Sequence, residues 1–496
     1  MAFLVPILVC VVCMLFSYYL WKKSCPDTDN EPPMVPGGLP LLGHVLKFMG
    51  DSIHLWRVLN DFASNSYANG GVVAASVGPR TIYMVTDPDD IFTITNTSLD
   101  KDDIYDLGRP WIGDGLLTAR ASTWKIKRKL LNPAFSQTVM DGFMGVFNKQ
   151  ARKLVKDLEP EVGKGPFDHW TYTKHNALET ICLTAMGVDF TDHTILNSQY
   201  VTAVDEILKI IAVRFRKFWL HSDYTFRWSN VKKKQDACLK ILHNMSDTVI
   251  KRRKTEFDNN NILPERTTIP GKKFKAFMDL LFELSVEKGV MNDRELREHV
   301  DTMIVGGYDT TATVLMYTLL LLGSHPEVQE KVYQELKVVL GDSDRDVEKH
   351  DLSQLVYLEA VLKESLRLYP IGPVLGRRLD KNVQLKNYTL AAGRSCFLLL
   401  FGIHKHPMWG ADVDQFNPDR WMDPASLPDN PNAFAAFSLG RRICIGKTYA
   451  YMSLKTTLAH VLRKYRFKGD HTQLELKFVV LLKPTSGYYV SIEERL

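Results

Sequence analysis

One cysteine near the carboxyl end of the chain has the surroundings that a thiolate needs. Cys444 lies in the stretch 437–446, which reads FSLGRRICIG, directly before a predicted helix that begins near Lys447. Backbone N–H groups at the start of a helix lack partners and therefore stabilise an anion. Gly440 permits a tight turn with positive φ, and Gly446 lets a flat group approach closely. The pattern predicts a metal-binding thiolate, and a buried structural cysteine is the alternative.

A second set of residues with chemical potential interrupts a long helix predicted over 294–322. This helix becomes strongly apolar after its midpoint, which predicts burial, yet residues 306–311 read GGYDTT. Each glycine inside a helix costs about 1 kcal/mol relative to alanine, and a buried Asp309–Thr310 pair is costly unless it is hydrogen-bonded. Close approach of a planar cofactor is one explanation of this composition. A helix kink with a capping threonine is the alternative.

The elements that position these residues are mostly helical. Helices are predicted over 116–135, 200–219, 294–322, 352–368 and 447–465, and strands over 72–85, 383–390, 396–401 and 474–492. The stretch 258–273 is polar and predicts an exposed loop. The fold class is therefore mainly α with small β-sheets.

The stretch around Cys444 resembles the haem-binding loop of the cytochrome P-450 superfamily. Further stretches resemble its other motifs: Glu364-Ser365-Leu366-Arg367 its Glu-x-x-Arg, the segment around Arg420 the partner of that motif, and 306–311 its oxygen-activation motif. The resemblance covers nearly the whole chain and is strongest to the microsomal family-4 branch. It implies the cytochrome P-450 fold, in which the Glu-x-x-Arg network stabilises the structure around the haem loop.

The resemblance also implies residue roles. Cys444 is the iron ligand, and Asp309 and Thr310 assist proton delivery during oxygen activation. The haem propionates need hydrogen-bond donors, and the residues that match the family's donors are Trp124, Arg128, Arg377 and Arg442. Trp124 and Arg128 are four residues apart and share a helix face. Arg378 is the neighbouring alternative to Arg377.

One departure from the family-4 pattern concerns Gly306. Many members of that branch carry glutamate at this position, where it forms an ester with a haem methyl group. We therefore expect haem b to be held without an ester, so that the bond from Cys444 to iron is its one bond to the protein.

The first residues of the chain predict a membrane anchor. Residues 1–21 are almost entirely apolar, about the length that a spanning helix needs, and Lys22 and Lys23 follow, which places the rest of the chain on the cytosolic side. A cleaved signal peptide is the alternative, but no small-residue cleavage site follows the apolar run. The expected organisation is an anchor over 1–21, a basic and proline-rich hinge over 22–43 and a catalytic domain over 44–496, on the endoplasmic reticulum membrane.

Composition excludes several other classes. The chain has 496 residues, 45% of them hydrophobic, and a formal net charge of +5, which is too small to indicate nucleic-acid binding. The seven cysteines are scattered and odd in number, so neither a disulfide framework nor a zinc site is expected. A reducing compartment fits this pattern.

The implied activity is a monooxygenase that inserts one atom of dioxygen into a small apolar substrate: a lipid, a fatty acid or a xenobiotic. Electrons come from NADPH through a cytochrome reductase, with cytochrome b5 as a further candidate partner. A basic docking patch for acidic partners is expected on the Trp124 helix and beside Cys444. The members of this patch are Lys125, Lys127, Lys129, Arg441 and Lys447. A solvated helix face is the alternative. The rival functions are a haem-thiolate isomerase or dehydratase that acts on hydroperoxides, and a non-catalytic haem protein that binds a gas.

Overall fold

The structure, a computed structural model, describes residues 4–24, 30–187, 198–260, 277–288 and 291–495. It forms two compact units. Unit 1 comprises Met1–Ile104, Gly372–Val413 and Pro428–Ile443, and unit 2 comprises Tyr105–Ile371, Asp414–Leu427 and Cys444–Leu496. Of the loop expected over 258–273, residues 261–273 lie outside the described residues, and the first three end a helix.

Unit 1 is built around a small mixed sheet. Numbered along the whole chain, its helices are α1 (Leu4–Ser24), α2 (Val45–Phe48), α3 (Ser52–Ala68), α4 (Pro88–Thr97) and α18 (Leu400–His404). Its strands are β1 (Val72–Val77), β2 (Arg80–Val85), β3 (Val374–Arg378), β4 (Val383–Gln384), β5 (Thr389–Leu390) and β6 (Ser395–Leu399). The sheet has the order β1-β2-β6-β3, with β2 and β6 parallel and the other neighbours antiparallel, and β4 pairs with β5.

The first two strands of unit 1 are rich in β-branched and aromatic residues and are separated by a turn at a glycine. The predicted strand over 72–85 is a hairpin, because Gly78 at φ +59° reverses the chain between β1 and β2. Val72, Tyr83 and Leu398 are fully buried in the core that α4 covers through Ile91. The proline-rich stretch before α2 pairs with this sheet, since the Val35 N–H donates to the Ala74 carbonyl at 2.8 Å.

Unit 2 is mainly helical. Its helices are α5 (Arg109–Ile112), α6 (Ala121–Leu131), α7 (Gln137–Gly142), α8 (Met144–Leu158), α9 (His169–Met186), α10 (Ser198–Arg216), α11 (Asp223–Arg227), α12 (Asn230–Asn260), α13 (Phe277–Lys288), α14 (Asp293–Ser324), α15 (Pro326–Leu340), α16 (Lys349–Gln354), α17 (Val356–Leu368) and α19 (Lys447–Lys464). Its strands are β7 (Tyr465–Gly469), β8 (Glu475–Val479), β9 (Leu481–Ser486) and β10 (Val490–Glu494), paired as β7–β10 and β8–β9.

Helix α14 is the centre of unit 2. A capping box fixes its start, because the Asn292 side chain accepts from the Glu295 N–H and the Glu295 carboxylate accepts from the Asn292 N–H. It packs along α9. Among the described residues, it is the one helix long and apolar enough to cross a membrane, but 78% of that apolar window is buried within the protein. It is therefore a core helix, as its apolar second half predicts.

The prediction of a mainly α fold with small sheets is confirmed, but several predicted boundaries are wrong. The strands predicted over 383–390 and 474–492 are divided into β4 and β5 and into β8, β9 and β10, the strand over 396–401 ends at Leu399, and the helix over 200–219 ends at Arg216. The helix predicted over 352–368 is two helices, because the backbone of Leu355 leaves the helical region between α16 and α17. The helix predicted over 116–135 begins at Ala121, after a turn that Thr118 holds by donating to the Gly113 carbonyl at 2.6 Å. A 3-10 turn, Asn132–Phe135, replaces its last residues because proline at 133 removes a backbone donor.

A buried charge network fastens α17 to the segment 414–427. Glu364 and Arg367 are fully buried, and Arg420 is 3% exposed. The Arg367 guanidinium donates to both Glu364 oxygens at 2.8 Å, and Arg420 Nε donates to Glu364 Oε1 at 3.0 Å. Trp421 Nε1 adds a bond to Glu364 Oε2 at 2.9 Å. One carboxylate therefore joins two separate stretches of unit 2.

This network predicts a large and specific stability effect. Glu364→Gln keeps the shape of the side chain but leaves two buried guanidinium groups facing a neutral amide, so the free energy of unfolding should fall by about 3–5 kcal/mol. Glu493→Gln is the matched control, since its ion pair with Lys468 is about half exposed and should contribute at most about 1 kcal/mol. Urea unfolding followed by circular dichroism measures both, and equal losses in the two variants would contradict the assignment.

Candidate functional site

The turn before Cys444 has the geometry that its glycine predicts. Gly440 lies at φ +67°, and a Cβ atom there would come within 2.5 Å of the Thr95 hydroxyl in the same unit. A non-glycine residue would therefore be strained by its backbone and would also collide with α4. A 3-10 turn, Gly440–Arg442, follows and leads the chain toward Cys444 and α19.

The Cys444 sulfur has opposing influences on its charge. The residue is exposed, yet protein atoms surround much of the sulfur. This desolvation has the largest effect on the pKa of the thiol and raises it. The Gly446 N–H, which donates to the sulfur, and the positive charges of Arg128 and Lys447 lower that pKa. These groups stabilise a thiolate, and a bound cation would complete its deprotonation.

Helix α6 places the predicted Trp124 and Arg128 on one face. Trp124 is buried, whereas Arg128 is partly exposed and donates from Nε to Asn132 Oδ1 at 2.8 Å. The pKa of Arg128 is lowered, mainly by desolvation. The proximity of Cys444 acts in the opposite direction and raises this pKa. The structure thus brings Arg128 into the electrostatic range of Cys444, both within unit 2.

The glycine and the hydroxyl of α14 lie on one side of the helix, and the acid lies on another. A Cβ atom at Gly306 would meet no atom within 4 Å, so this position faces open space. Thr310, one turn later, donates its hydroxyl to the Gly306 carbonyl at 2.5 Å and stays partly exposed. Asp309 is 1% exposed instead, and its Oδ2 lies 2.6 Å from Lys483 Nζ. The Thr310 hydroxyl therefore lies on the side of the helix where Gly306 faces open space, whereas the Asp309 carboxylate is directed toward β9.

Unit 1 brings together the predicted arginines and adds a lysine. Arg377 is fully buried on β3, and Arg442 is 8% exposed and donates from Nη1 to the Leu99 carbonyl at 2.9 Å. Lys101, 7% exposed, lies in a bridge opposite Arg377. Burial is the main cause that lowers the pKa of Lys101, and the charges of Arg377 and Arg442 lower it further. The neighbouring Arg378 differs, because its guanidinium is partly exposed and lies 3.8 Å from Asp103.

Two of these residues were not found from the sequence. Lys101 stands in the stretch DKDD, which is typical of a solvated loop, and Lys483 is a single lysine in a short strand near the carboxyl end. Neither belongs to a motif with fixed spacing. A lysine flanked by burial-prone residues, as in the LLKP around Lys483, is the one signal that could have indicated a buried charge.

The predicted basic patch is partly wrong. Lys127 is turned inward, where its Nζ donates to the Asp114 carbonyl at 3.0 Å and lies 3.8 Å from Glu298. The Asp114 carbonyl and the Glu298 carboxylate therefore hold the Lys127 ammonium group away from solvent. In unit 2, Lys125, Lys129 and Lys447 remain exposed, and Arg441 is exposed in unit 1.

The residues present fit a haem group by their chemistry. A haem needs one axial ligand, donors for two carboxylates and little obstruction near its plane. Unit 2 supplies a thiol beside a backbone N–H and two cations, and a helix position that faces open space. Unit 1 supplies the buried cations Arg377, Arg442 and Lys101. Burial and the charges of the two arginines lower the pKa of Lys101, an arrangement that an anionic group would stabilise.

Comparison with known proteins agrees with this chemistry. A family model described as Cytochrome P450 matches residues 32–492. The mouse protein named Cytochrome P450 4V2 is 33% identical over 500 residues, which cover 99% of this chain and 94% of that protein. The human protein of the same name is 32% identical over 93% of this chain and 90% of its own length, and Cytochrome P450 4c3 of Drosophila melanogaster is 32% identical over 93% and 89%. The chain therefore belongs to the cytochrome P450 family, whose members are in general haem-thiolate monooxygenases.

Proposed function

We propose that this protein is a membrane-anchored monooxygenase that takes electrons from NADPH through a reductase and inserts one oxygen atom into a small apolar substrate such as a lipid, a fatty acid or a xenobiotic. The observation that supports the proposal is the position of Cys444 directly before α19, where the Gly446 N–H and the charges of Arg128 and Lys447 lower the pKa of the thiol against the larger opposing effect of burial. A thiolate axial ligand distinguishes oxygen-activating haem proteins from those that carry a gas on histidine.

Each proposed residue has a separate task. Cys444 holds the iron, and the chemistry that a bound haem would supply is the reductive activation of dioxygen. Gly306 leaves room beside α14 for the dioxygen and the substrate, which its open surroundings support. Thr310 holds a proton at its hydroxyl on that side of the helix, and Asp309 takes part in passing protons to it.

The proposed propionate donors are the residues that match the family's donors. They are Trp124 and Arg128 of α6, and Arg377 and Arg442, with Lys101 as an additional cation beside the last two. The burial of Arg377 and the ion pair of Arg378 with Asp103 both favour Arg377 over its neighbour. Charge-assisted hydrogen bonds of this kind orient the haem as well as hold it.

The remaining features concern location and partners. We propose an anchor over 1–21, a hinge over 22–43 and a catalytic domain over 44–496, on the cytosolic face of the endoplasmic reticulum. The helix α1 supports this, since its apolar stretch Ile7–Phe16 has exposed side chains. The exposed Lys125, Lys129, Lys447 and Arg441 are the residues we propose for contact with an acidic reductase, or with cytochrome b5.

Removing the proposed ligand tests the class of chemistry. Cys444→Ala should abolish the absorption band that carbon monoxide produces on reduced haem-thiolate proteins, because no other side chain can replace the sulfur in that position. Cys238→Ala, a change at a buried cysteine of α12, should keep the band. A spectrum of the Cys444→Ala protein that retained the band would overturn the ligand assignment.

The choice between neighbouring arginines is testable by haem content. Arg377→Gln removes a buried charge-assisted donor worth roughly 1.5–3 kcal/mol, which corresponds to about a tenfold to hundredfold faster loss of haem. Arg378→Gln should leave haem loss near that of the parent protein. Transfer of haem to excess apomyoglobin gives both rates, and the opposite order would assign the contact to Arg378.

Gly306 makes the haem linkage testable. Haem should leave the denatured parent protein completely in acidified organic solvent, because the family's ester-forming glutamate is absent. Gly306→Glu should retain a measurable fraction after turnover, since open space surrounds this position, whereas Gly306→Gln, which has the same size, should retain none. Haem that stayed with the denatured parent protein would refute the non-covalent assignment.

A further inference from the structure

Two lysines face each other across the β8–β9 hairpin. Lys477 of β8 is opposite Lys483 of β9 in the antiparallel register, and residues paired in this way lie on the same face with their Cβ atoms about 5 Å apart. Like charges in this arrangement are destabilising. The hairpin, which belongs to unit 2, therefore concentrates positive charge at one position.

Helices α9 and α10 of the same unit add two lysines to this pair. Lys174 Nζ is 4.5 Å from the centre of the Trp170 ring, and Lys483 Nζ is 5.7 Å from it. Lys209 of α10 is close enough for its charge to act on Lys477. We call Lys174, Lys209, Lys477 and Lys483 the lysine cluster.

The lysine cluster has more positive charge than its partners neutralise. No ion pair or hydrogen bond of Lys477 is found among the residues that the structure describes. The other three members each have one acidic partner: Lys483 pairs with Asp309 at 2.6 Å, Lys174 with Asp205 at 2.9 Å and Lys209 with Glu206 at 3.5 Å. One positive charge of the cluster is therefore left over at Lys477.

The surroundings of Lys477 make its charge unfavourable. The side chain is partly buried. Burial is the main cause that lowers the pKa of Lys477, and the charges of the other three members of the cluster lower it further. An anion beside the ammonium group would offset both effects, because it favours the charged lysine and opposes the repulsion. The position therefore lacks one negative charge.

The same face of the hairpin continues as apolar surface. Val479 and Leu481 oppose each other next to the lysine pair, on the face that Lys477 occupies because strand residues alternate between faces. Both are partly buried and leave some apolar surface accessible. Beside the cluster, Trp170 Nε1 is a buried donor with no acceptor among the described residues. A cation, an unused donor and apolar side chains thus lie close together.

We propose that Lys477 and the adjoining apolar face of the hairpin bind an amphiphilic monoanion, an apolar chain that ends in a carboxylate. The Lys477 ammonium donates to the carboxylate, and the chain lies against Val479 and Leu481. A single charge suits the site because one member of the cluster lacks a counter-charge. Two sources share this chemistry: the acidic end of a substrate, in which case the inference rests on the proposed function, and a separate amphiphile from the membrane.

The test titrates the full-length holoenzyme with decanoate and with decanol, which have the same chain length and differ in charge. Calorimetry gives the dissociation constant of each probe, and the haem absorption spectrum shows whether the probe changes the haem environment. The variants are Lys477→Met and Lys477→Arg. Lys468→Met is the matched control, since it removes the same charge from a lysine of β7 that is 57% exposed and pairs with Glu493.

The parent protein should bind decanoate about tenfold more tightly than decanol, as expected for one hydrogen bond between charged groups. Lys477→Met should lose this preference and bind decanol within about twofold of the parent, because only the charged contact is removed. Lys477→Arg keeps the cation and should bind decanoate within about threefold of the parent. Lys468→Met should behave like the parent, and added salt should weaken the preference wherever it is present.

Three results would contradict the inference: a parent that binds both probes equally, a Lys477→Met protein that keeps the preference for decanoate, or an equal loss in Lys468→Met, which would reflect overall charge. Two results support it and identify the source. A haem spectrum that shifts with decanoate in the parent but not in Lys477→Met assigns the carboxylate to a substrate, whereas a preference without a shift assigns it to a separate amphiphile. A parent that lacks the reduced carbon monoxide band would defeat the proposed function, while calorimetry would still decide the role of Lys477.

Discussion

The carboxylate of Glu364 is the acceptor on which the framework of unit 2 depends. It is fully buried and receives bonds from Arg367, Arg420 and Trp421. A buried carboxylate is unfavourable unless its oxygens are satisfied, so the helix α17 and the segment 414–427 are stable together or not at all. The same rule applies to the acid of α14. Asp309 is nearly as inaccessible, and its Oδ2 lies 2.6 Å from Lys483 Nζ.

Helical geometry separates tasks that are adjacent in the sequence. Gly306 and Thr310 fall on one side of α14 because they are four residues apart, and the open space at Gly306 lies on that side. Asp309 falls on another side and reaches β9. One short stretch can therefore present a hydroxyl on the open side of the helix and a buried acid on another side. The motif alone shows both residue types but not that they point in different directions.

The sequence could predict features that local rules control. The buried character of α14 follows from its apolar second half, and the positive φ of Gly440 follows from the conformational freedom of glycine in a tight turn. The break at Leu355 was missed because its apolar pattern continues through it, and β3 was missed because its residues, VLGRR, do not alternate. Lys101, Lys127 and Lys483 were missed for a different reason. Residues distant in sequence enclose each of these side chains. A lysine whose neighbours in the sequence predict exposure to solvent therefore lies inside the protein.

The cations of unit 1 connect cofactor binding with stability. Burial and the charges of Arg377 and Arg442 depress the pKa of Lys101, so without an anion the lysine is driven toward its neutral form. An anion among the three would reverse this, because it favours the charged lysine and offsets the repulsion between the arginines. A ligand that binds the folded form and not the unfolded chain stabilises the fold by its binding free energy. The propionates of a haem would therefore do more than orient the ring: they would supply the negative charge that makes this part of unit 1 electrostatically favourable.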